Sequence, residues 1–260
     1  MAKSVKALIN PEVLKWVREK RIRLDLDLAA EKLKIVPERL TDWESGTAQP
    51  TFAQLKRIAK IYKTHISIFY LPKPPIDFHP LTDYRVLPQT TAPESEQTYR
   101  LKANILEIFD RRETLIDFYE LLEMPFPEVT IKVNLNETPI RAAERIRKFL
   151  NFNTEMLPRT KDRYKVLKFW KRTVESKGIL VCQTSANTHL AVELNTFRGF
   201  CIAQKPFPVI VVNSQDSPNG RIFTILHELV HIALGESIIQ NINYEDVSVQ
   251  NIDPVEAFCN

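Results

Sequence analysis

The sequence has no apolar run approaching the roughly 18 residues that a membrane-spanning helix needs, so no bilayer-crossing segment is expected. Its first residues, Met1-Ala-Lys-Ser-Val-Lys6, lead into no apolar stretch, which argues against a secretory signal. Cysteine is scarce. Cys182, Cys201 and Cys259 are odd in number and far apart, so they supply neither a disulfide framework nor a cysteine-based zinc site. No internal repeat or low-complexity segment is visible. What remains is a cytoplasmic chain of ordinary globular composition, 44% hydrophobic and 26% charged. Its 260 residues exceed one typical core and imply two or three domains.

The most informative stretch is GRIFTILHELVHIALG, from Gly220 to Gly235. His227 and His231 stand four apart, so on a helix both imidazoles leave the same face and can converge on one metal ion. Glu228 is offset beside the first histidine, where it need not ligate the metal but can act on water, which is the HExxH arrangement of metallohydrolases. Phe223, Leu226, Val230 and Leu234 recur at helical spacing and predict the core face, and Gly235 is placed to end the helix. Two histidines flanking a glutamate on such a helix point to zinc rather than to packing.

Catalytic zinc usually takes a third protein ligand. Downstream of His231 there is no further histidine, which leaves the carboxylates Glu236, Glu245, Asp246, Asp253 and Glu256. Asp253-Pro254-Val255-Glu256-Ala257-Phe258 reads as a helix start, with Asp253 as N-cap and Pro254 in the first turn. Glu256 would then project from a second helix packed across the first and is taken as the third ligand; the competing reading is an ordinary first-turn glutamate favoured by the helix dipole.

The run RIFTILHELVHIALGE, followed by VEAFCN, resembles the ImmA/IrrE family of bacterial zinc peptidases, and the preceding RGFCIAQKPFPVIVVN resembles that family's strand pair. The resemblance implies a gluzincin-like site with His227, His231 and Glu256 on Zn2+ and Glu228 as catalytic base. Members of the family normally continue well past this glutamate, whereas Asn260 stands four residues on, so the catalytic unit is expected to be truncated.

Residues 1–71 carry 14 Lys and Arg against 8 Asp and Glu, a net of +6, leaving −2 for the rest of the chain. Short helical patterns follow one another here, about Pro11 to Lys20, Leu24 to Lys32, Pro37 to Trp43, Phe52 to Tyr62 and Ile66 to Tyr70. The middle pair has helix-turn-helix spacing, with Ala30 small at the crossing and Ile35, Leu40 and Trp43 fixing the angle. Trp43-Glu-Ser-Gly46, Pro50-Thr51 and Gln54-Leu-Lys-Arg-Ile-Ala59 resemble the Xre (lambda-repressor-like) helix-turn-helix family. Lys34 occupies the turn position where glycine is usual, at a cost of about 1 kcal/mol. The recognition helix offers Arg39 and Thr41 to base edges together with Glu38 and Asp42. With Glu44 these make three acids, which weaken a phosphate-binding surface, while Arg18, Lys20, Arg21 and Arg23 lie on other helices. Duplex DNA is therefore the expected partner of this unit, with docking or dimerisation as the alternative role.

A proline-rich connector follows over residues 72–97, then a helical region over 98–177. Its long helix carries Leu101, Ile105, Ile108, Leu115, Phe118 and Leu122 on one stripe, with Arg111, Arg112 and Glu113 on a solvated side. Helices are expected from Thr138-Pro139 to Phe149 and from Lys161 to Ser176. The last unit, residues 178–260, has short strand candidates at Ile179 to Cys182, Leu190 to Leu194, Gly199 to Ala203 and Val209 to Val212. The fold class is thus α+β: an all-α helix-turn-helix bundle, a helical region, and a zincin-like domain with a small mixed sheet. The functional expectation is a zinc endopeptidase acting on a repressor-type or antitoxin-type regulator, in stress, mobile-element or toxin–antitoxin control, with no membrane partner and with a homodimer allowed. Its alternative is a transcriptional regulator whose zincin domain is not proteolytic. His189 and Tyr244 are the candidate oxyanion stabilisers.

Overall fold

The computed structural model describes residues 5–75, 96–185, 190–235 and 254–260. His189, Tyr244, Asp253, Glu236, Glu245, Asp246 and most of the proline-rich connector lie outside the described residues. The chain divides into two compact units, with the boundary between Glu107 and Ile108. No helix among the described residues is long and apolar enough to cross a membrane.

The first unit is all-α. Helix α1 (Pro11–Trp16) starts under an Asn10 cap and runs into a π-helical turn, Val17–Arg21. Helix α2 (Leu26–Leu33) is capped by Asp25, and α3 (Pro37–Glu44) begins on a proline. Helix α4 (Phe52–Ile61) opens with a reciprocal capping box between Thr51 and Gln54, and a 3-10 turn spans Ile66–Tyr70. Between α2 and α3, Lys34 takes the left-handed conformation, φ 53° and ψ 48°, that the turn requires. Ala30, Leu40, Trp43, Leu55, Ile58 and Phe69 are buried and hold the helices together.

This unit also contains a buried ion pair. Arg18 donates from Nε and Nη2 to the two carboxylate oxygens of Glu44, at 2.7 and 2.8 Å, and from Nη1 to the carbonyl of Leu24 at 3.0 Å. Arg21 is buried as well and donates to the carbonyl of Lys63. Arg18, Arg21 and Glu44 are therefore internal scaffolding and do not shape a surface potential, which corrects their reading as surface charges.

Helix α5 (Glu96–Leu121) contributes its first turns to this unit: the hydroxyl of Tyr99 donates to the carbonyl of Ile61 at 3.0 Å. Its predicted apolar stripe is buried at Leu101, Ile105 and Ile108 but not at Phe118 and Leu122, which are exposed.

The second unit takes the rest of α5, then α6 (Pro139–Phe149), capped by Thr138, and α7 (Arg163–Glu175), capped by Asp162. Strands β1 (Leu180–Gln183), β2 (Gly199–Ile202) and β3 (Val209–Val212) form a mixed sheet in the order β1-β3-β2, β1 parallel and β2 antiparallel to β3. Helix α8 (Pro218–Leu234) packs on β2, β3 and α7, and α9 (Pro254–Cys259) packs on α8. The fold is α+β.

Two expectations fail here for identifiable reasons. Leu190 to Leu194 is not a strand, because buried Asn213 donates its side-chain amide to the carbonyls of Val192, Glu193 and Phe197, tying those groups into a loop. Arg112 is not solvated: it is 2% exposed, and its guanidinium donates to the carbonyls of Phe207, Gln204 and Pro206.

Because Glu44 neutralises a buried guanidinium whereas Glu38 is exposed, the two acids of α3 have different energetic roles. Glu44→Ala is expected to destabilise the first unit by roughly 3 kcal/mol, and Glu38→Ala by less than about 0.5 kcal/mol. Urea unfolding followed through the buried Trp43 measures both; equal effects would show that the Arg18 pair is not a structural anchor.

Candidate metal centre and nucleic-acid surface

The site is built on α8. Ser217 accepts the amide of Gly220, Pro218 opens the first turn, and Gly235 closes the helix at φ 80°. The buried face is not the one predicted. Ile225, Leu229, Ile232 and Ala233 enter the core, while Phe223 is 49% exposed and Leu226, Val230 and Leu234 are half-buried. His227, Glu228 and His231 lie on the buried side, at 4%, 2% and 0% exposure.

The two Nε2 atoms of His227 and His231 are 3.1 Å apart. The carboxylate of Glu256, from α9, reaches both: Oε2 is 3.3 Å from His227 Nε2 and Oε1 is 3.3 Å from His231 Nε2. Zinc ligands at 2.0–2.1 Å and tetrahedral angles stand about 3.3–3.4 Å from one another. The three groups are thus close enough to share one ion, with one carboxylate oxygen facing each imidazole. The chemistry of the donor set, two imidazoles and a carboxylate, also suits zinc. Among the described residues this is the one cluster of three His, Cys, Asp or Glu with ligand atoms close enough for a metal. Glu256 Oε1, which faces this cluster, is buried without a hydrogen-bond partner, as expected where a cation completes the site.

On the first unit, the predicted DNA-facing residues lie on α3. Glu38, Arg39 and Thr41 are exposed and Asp42 is half-buried. The guanidinium of Arg39 lies 5.9 Å from the centroid of the Trp43 ring, and the hydroxyl of Thr41 donates back to the carbonyl of Pro37 at 3.2 Å. With Glu44 turned inward, two acids rather than three face solvent from this helix.

Comparison with protein families places residues 174–252 under the peptidase M78 model, described as the IrrE N-terminal-like domain. A second family model, helix-turn-helix, matches residues 14–69, which span α1 to the 3-10 turn. No curated protein and no solved structure matches the chain. The IrrE N-terminal-like match includes His227, Glu228 and His231 but ends before Glu256, so the case for Glu256 rests on geometry.

Within the matched residues, β2 approaches α8 through Gly199. A side chain there would collide with Thr224 and with the carbonyl of Val211, and its Cβ would stand 3.6 Å from Glu228 Oε1. The strand can lie this close to the turn of α8 that carries Glu228 only as glycine. A cavity of about 310 Å³ opens beside it, lined by Arg198, Gly199, Phe223, Thr224, His227 and Glu228. A second, more apolar cavity of about 470 Å³ shares Phe223 and His227 and is walled by Ile146, Trp170 and Val230.

Two cysteines, unremarked as site residues from the sequence, touch this centre. The sulfur of Cys259 lies 3.7 Å from His231 Nδ1, positioned to fix that ring, and the thiol of Cys201 hydrogen-bonds Glu228. No signal in the sequence separates them from core cysteines.

The two carboxylates are pushed in opposite directions. Burial raises Glu228 from 4.5 to about 8, helped by the charge of Glu256 and opposed by the Cys201 thiol. Burial also acts to raise Glu256, but the imidazoles of His227 and His231 prevail and hold it at about 2. In the metal-free protein, folded Glu228 therefore keeps a proton that the unfolded chain releases above about 4.5. Stability is expected to fall as pH rises from 5 to 8, whereas the contribution of Glu256 is constant over that window. Thermal melts in chelator should show this slope in the wild type and a flatter one in Glu228→Gln; identical slopes would place the titrating group elsewhere.

Proposed function

We propose that the chain is a zinc-dependent endopeptidase coupled to a helix-turn-helix module, acting on a repressor-type or antitoxin-type regulatory protein. The observation that carries this reading is the convergence of His227 Nε2, His231 Nε2 and the Glu256 carboxylate at 3.1–3.3 Å, with Glu228 alongside. His227, His231 and Glu256 are the proposed holders of zinc. Zinc, when bound, supplies Lewis acidity that polarises a carbonyl and acidifies water.

The chain's own residues supply the rest. Glu228 is the general base: its buried oxygen Oε2 has no hydrogen-bond partner, leaving it to take a proton and return it to a leaving amine. His231 is held in orientation by Cys259 and His227 by the packing of Phe223, whose ring centroid is 5.9 Å away. Among the described residues strand β2 is at one end of the sheet order, the position at which an extended peptide would join a sheet by main-chain hydrogen bonds. Arg198 precedes that strand, pairs with Asp216 at 3.4 Å and lines the cavity.

Metal analysis and cleavage together test the reading. Purified wild-type chain is expected to hold about one zinc, His227→Ala and Glu256→Gln markedly less, and Glu228→Gln as much as wild type. Mass-spectrometric profiling of a proteome-derived peptide library should find cleavage that is lost 10²- to 10⁴-fold in Glu228→Gln. Absence of zinc from the wild type, or undiminished cleavage by Glu228→Gln, would sink the proposal.

The helix-turn-helix module is proposed to bring the peptidase to duplex DNA or to its regulator. Selection of duplexes from a random pool should enrich a sequence, and Arg39→Ala should flatten that enrichment by about 1–3 kcal/mol of discrimination. Failure to enrich any duplex would instead make this module a protein-docking element.

A further inference from the structure

The net −2 outside residues 1–71 conceals a strong local charge. Residues 139–177 hold 12 Lys and Arg against 4 Asp and Glu, a net of +8, and the segments on either side carry the compensating acids. Basic excess is therefore not confined to the first unit. Ten of these twelve cations are exposed and two are half-buried.

The structure gathers part of this charge in one place. Arg141, Arg145 and Lys148 recur at i, i+4 and i+7 and form one stripe of α6. Arg145 and Lys148 share the rim of a shallow depression of about 720 Å³ with Lys132 and Lys177; Phe149 is among its lining residues, and Glu128 is its one acid. Lys148 also lines the adjoining hollow, where Arg147 sits 6.0 Å from the centroid of the Phe152 ring. Lys177 is 5.8 Å from the centroid of the Phe149 ring, and Arg145 donates to the carbonyl of Lys132 at 2.9 Å. Arg145 also meets Glu137 at 3.5 Å, but in that cluster Arg147, Lys148, Lys132 and Lys177 have no carboxylate within ion-pair distance among the described residues.

Held this way, like charges repel one another, and the repulsion is relieved by an anion with several charges at fixed spacing. The α6 stripe is about 10 Å long at 1.5 Å per residue, long enough to meet more than one phosphate of a DNA strand. The same chain carries a helix-turn-helix domain, and a second basic surface tethered to it would act at high effective concentration on the same molecule. We propose that the α6 face, with Lys132 and Lys177, binds the phosphate backbone of a nucleic acid, giving this chain a second nucleic-acid contact outside its helix-turn-helix domain.

The test uses the full chain and fluorescently labelled duplex DNA across a salt series. Arg145→Ala/Lys148→Ala/Lys177→Ala alters exposed or half-buried residues away from the proposed metal centre. Affinity should fall at low salt, and the slope of log affinity against log salt should become shallower by up to about 2.7. The charge-conserving Arg145→Lys/Lys148→Arg should bind as wild type does, which separates lost charge from lost fold. An unchanged slope in the triple variant, no duplex binding by the wild type at low salt, or these residues binding phosphatidylserine vesicles but not DNA would each overturn the proposal.

Discussion

The second unit turns on a single electrostatic constraint: two buried imidazole nitrogens and a half-buried carboxylate are held within 3.3 Å of one another. Burying such groups is costly unless each is paired. The neighbouring structure is arranged around that cost. A glycine lets β2 lie against the helix turn, cysteine sulfurs occupy positions where apolar side chains would leave His231 and Glu228 unsupported, and α9 supplies the one carboxylate of the cluster. The environment then separates the two acids, keeping Glu256 ionised and Glu228 ready to hold a proton. Two carboxylates with divergent pKa values in one site have divergent roles.

The first unit manages charge differently. Its buried Arg18–Glu44 pair links the start of the bundle to the end of the recognition helix, so one acid that reads as hostile to DNA belongs to the interior. Surface charge in this chain cannot be inferred from residue counts. It depends on which ions the fold internalises, and the same arithmetic applied to the whole remainder hides the basic helices of residues 139–177.

Much of the local structure was legible because it is fixed by neighbours in sequence. Pro11, Pro37 and Pro139 mark helix starts, Gly235 a helix end, and Lys34 adopts the left-handed turn that helix-turn-helix spacing demands. The i, i+4 spacing of His227 and His231 carries their convergence directly. What escaped depends on distant partners. The Glu44 pair spans 26 residues, Arg112 finds carbonyls more than 90 residues away, and Asn213 undoes a strand pattern some 20 residues before it. On α8 the periodicity was right, but its phase was only partly so: Val230 and Leu234 pack at the margin of the core, whereas Phe223 and Leu226 border a cavity, because the polar site occupies part of the inner face.

The proposed ligand set is discontinuous in the chain. His227 and His231 share one helix, whereas Glu256 arrives 25 residues after the second histidine. Bringing together groups so far apart in the chain costs conformational entropy that a ligand pair on one helix never meets. An ion bound by all three would act as a staple between α8 and α9, and its affinity would include the work of docking α9. Occupancy at this centre is then also a gauge of local folding: a protease or hydrogen-exchange probe of the last helix would report metal status without any substrate being cleaved.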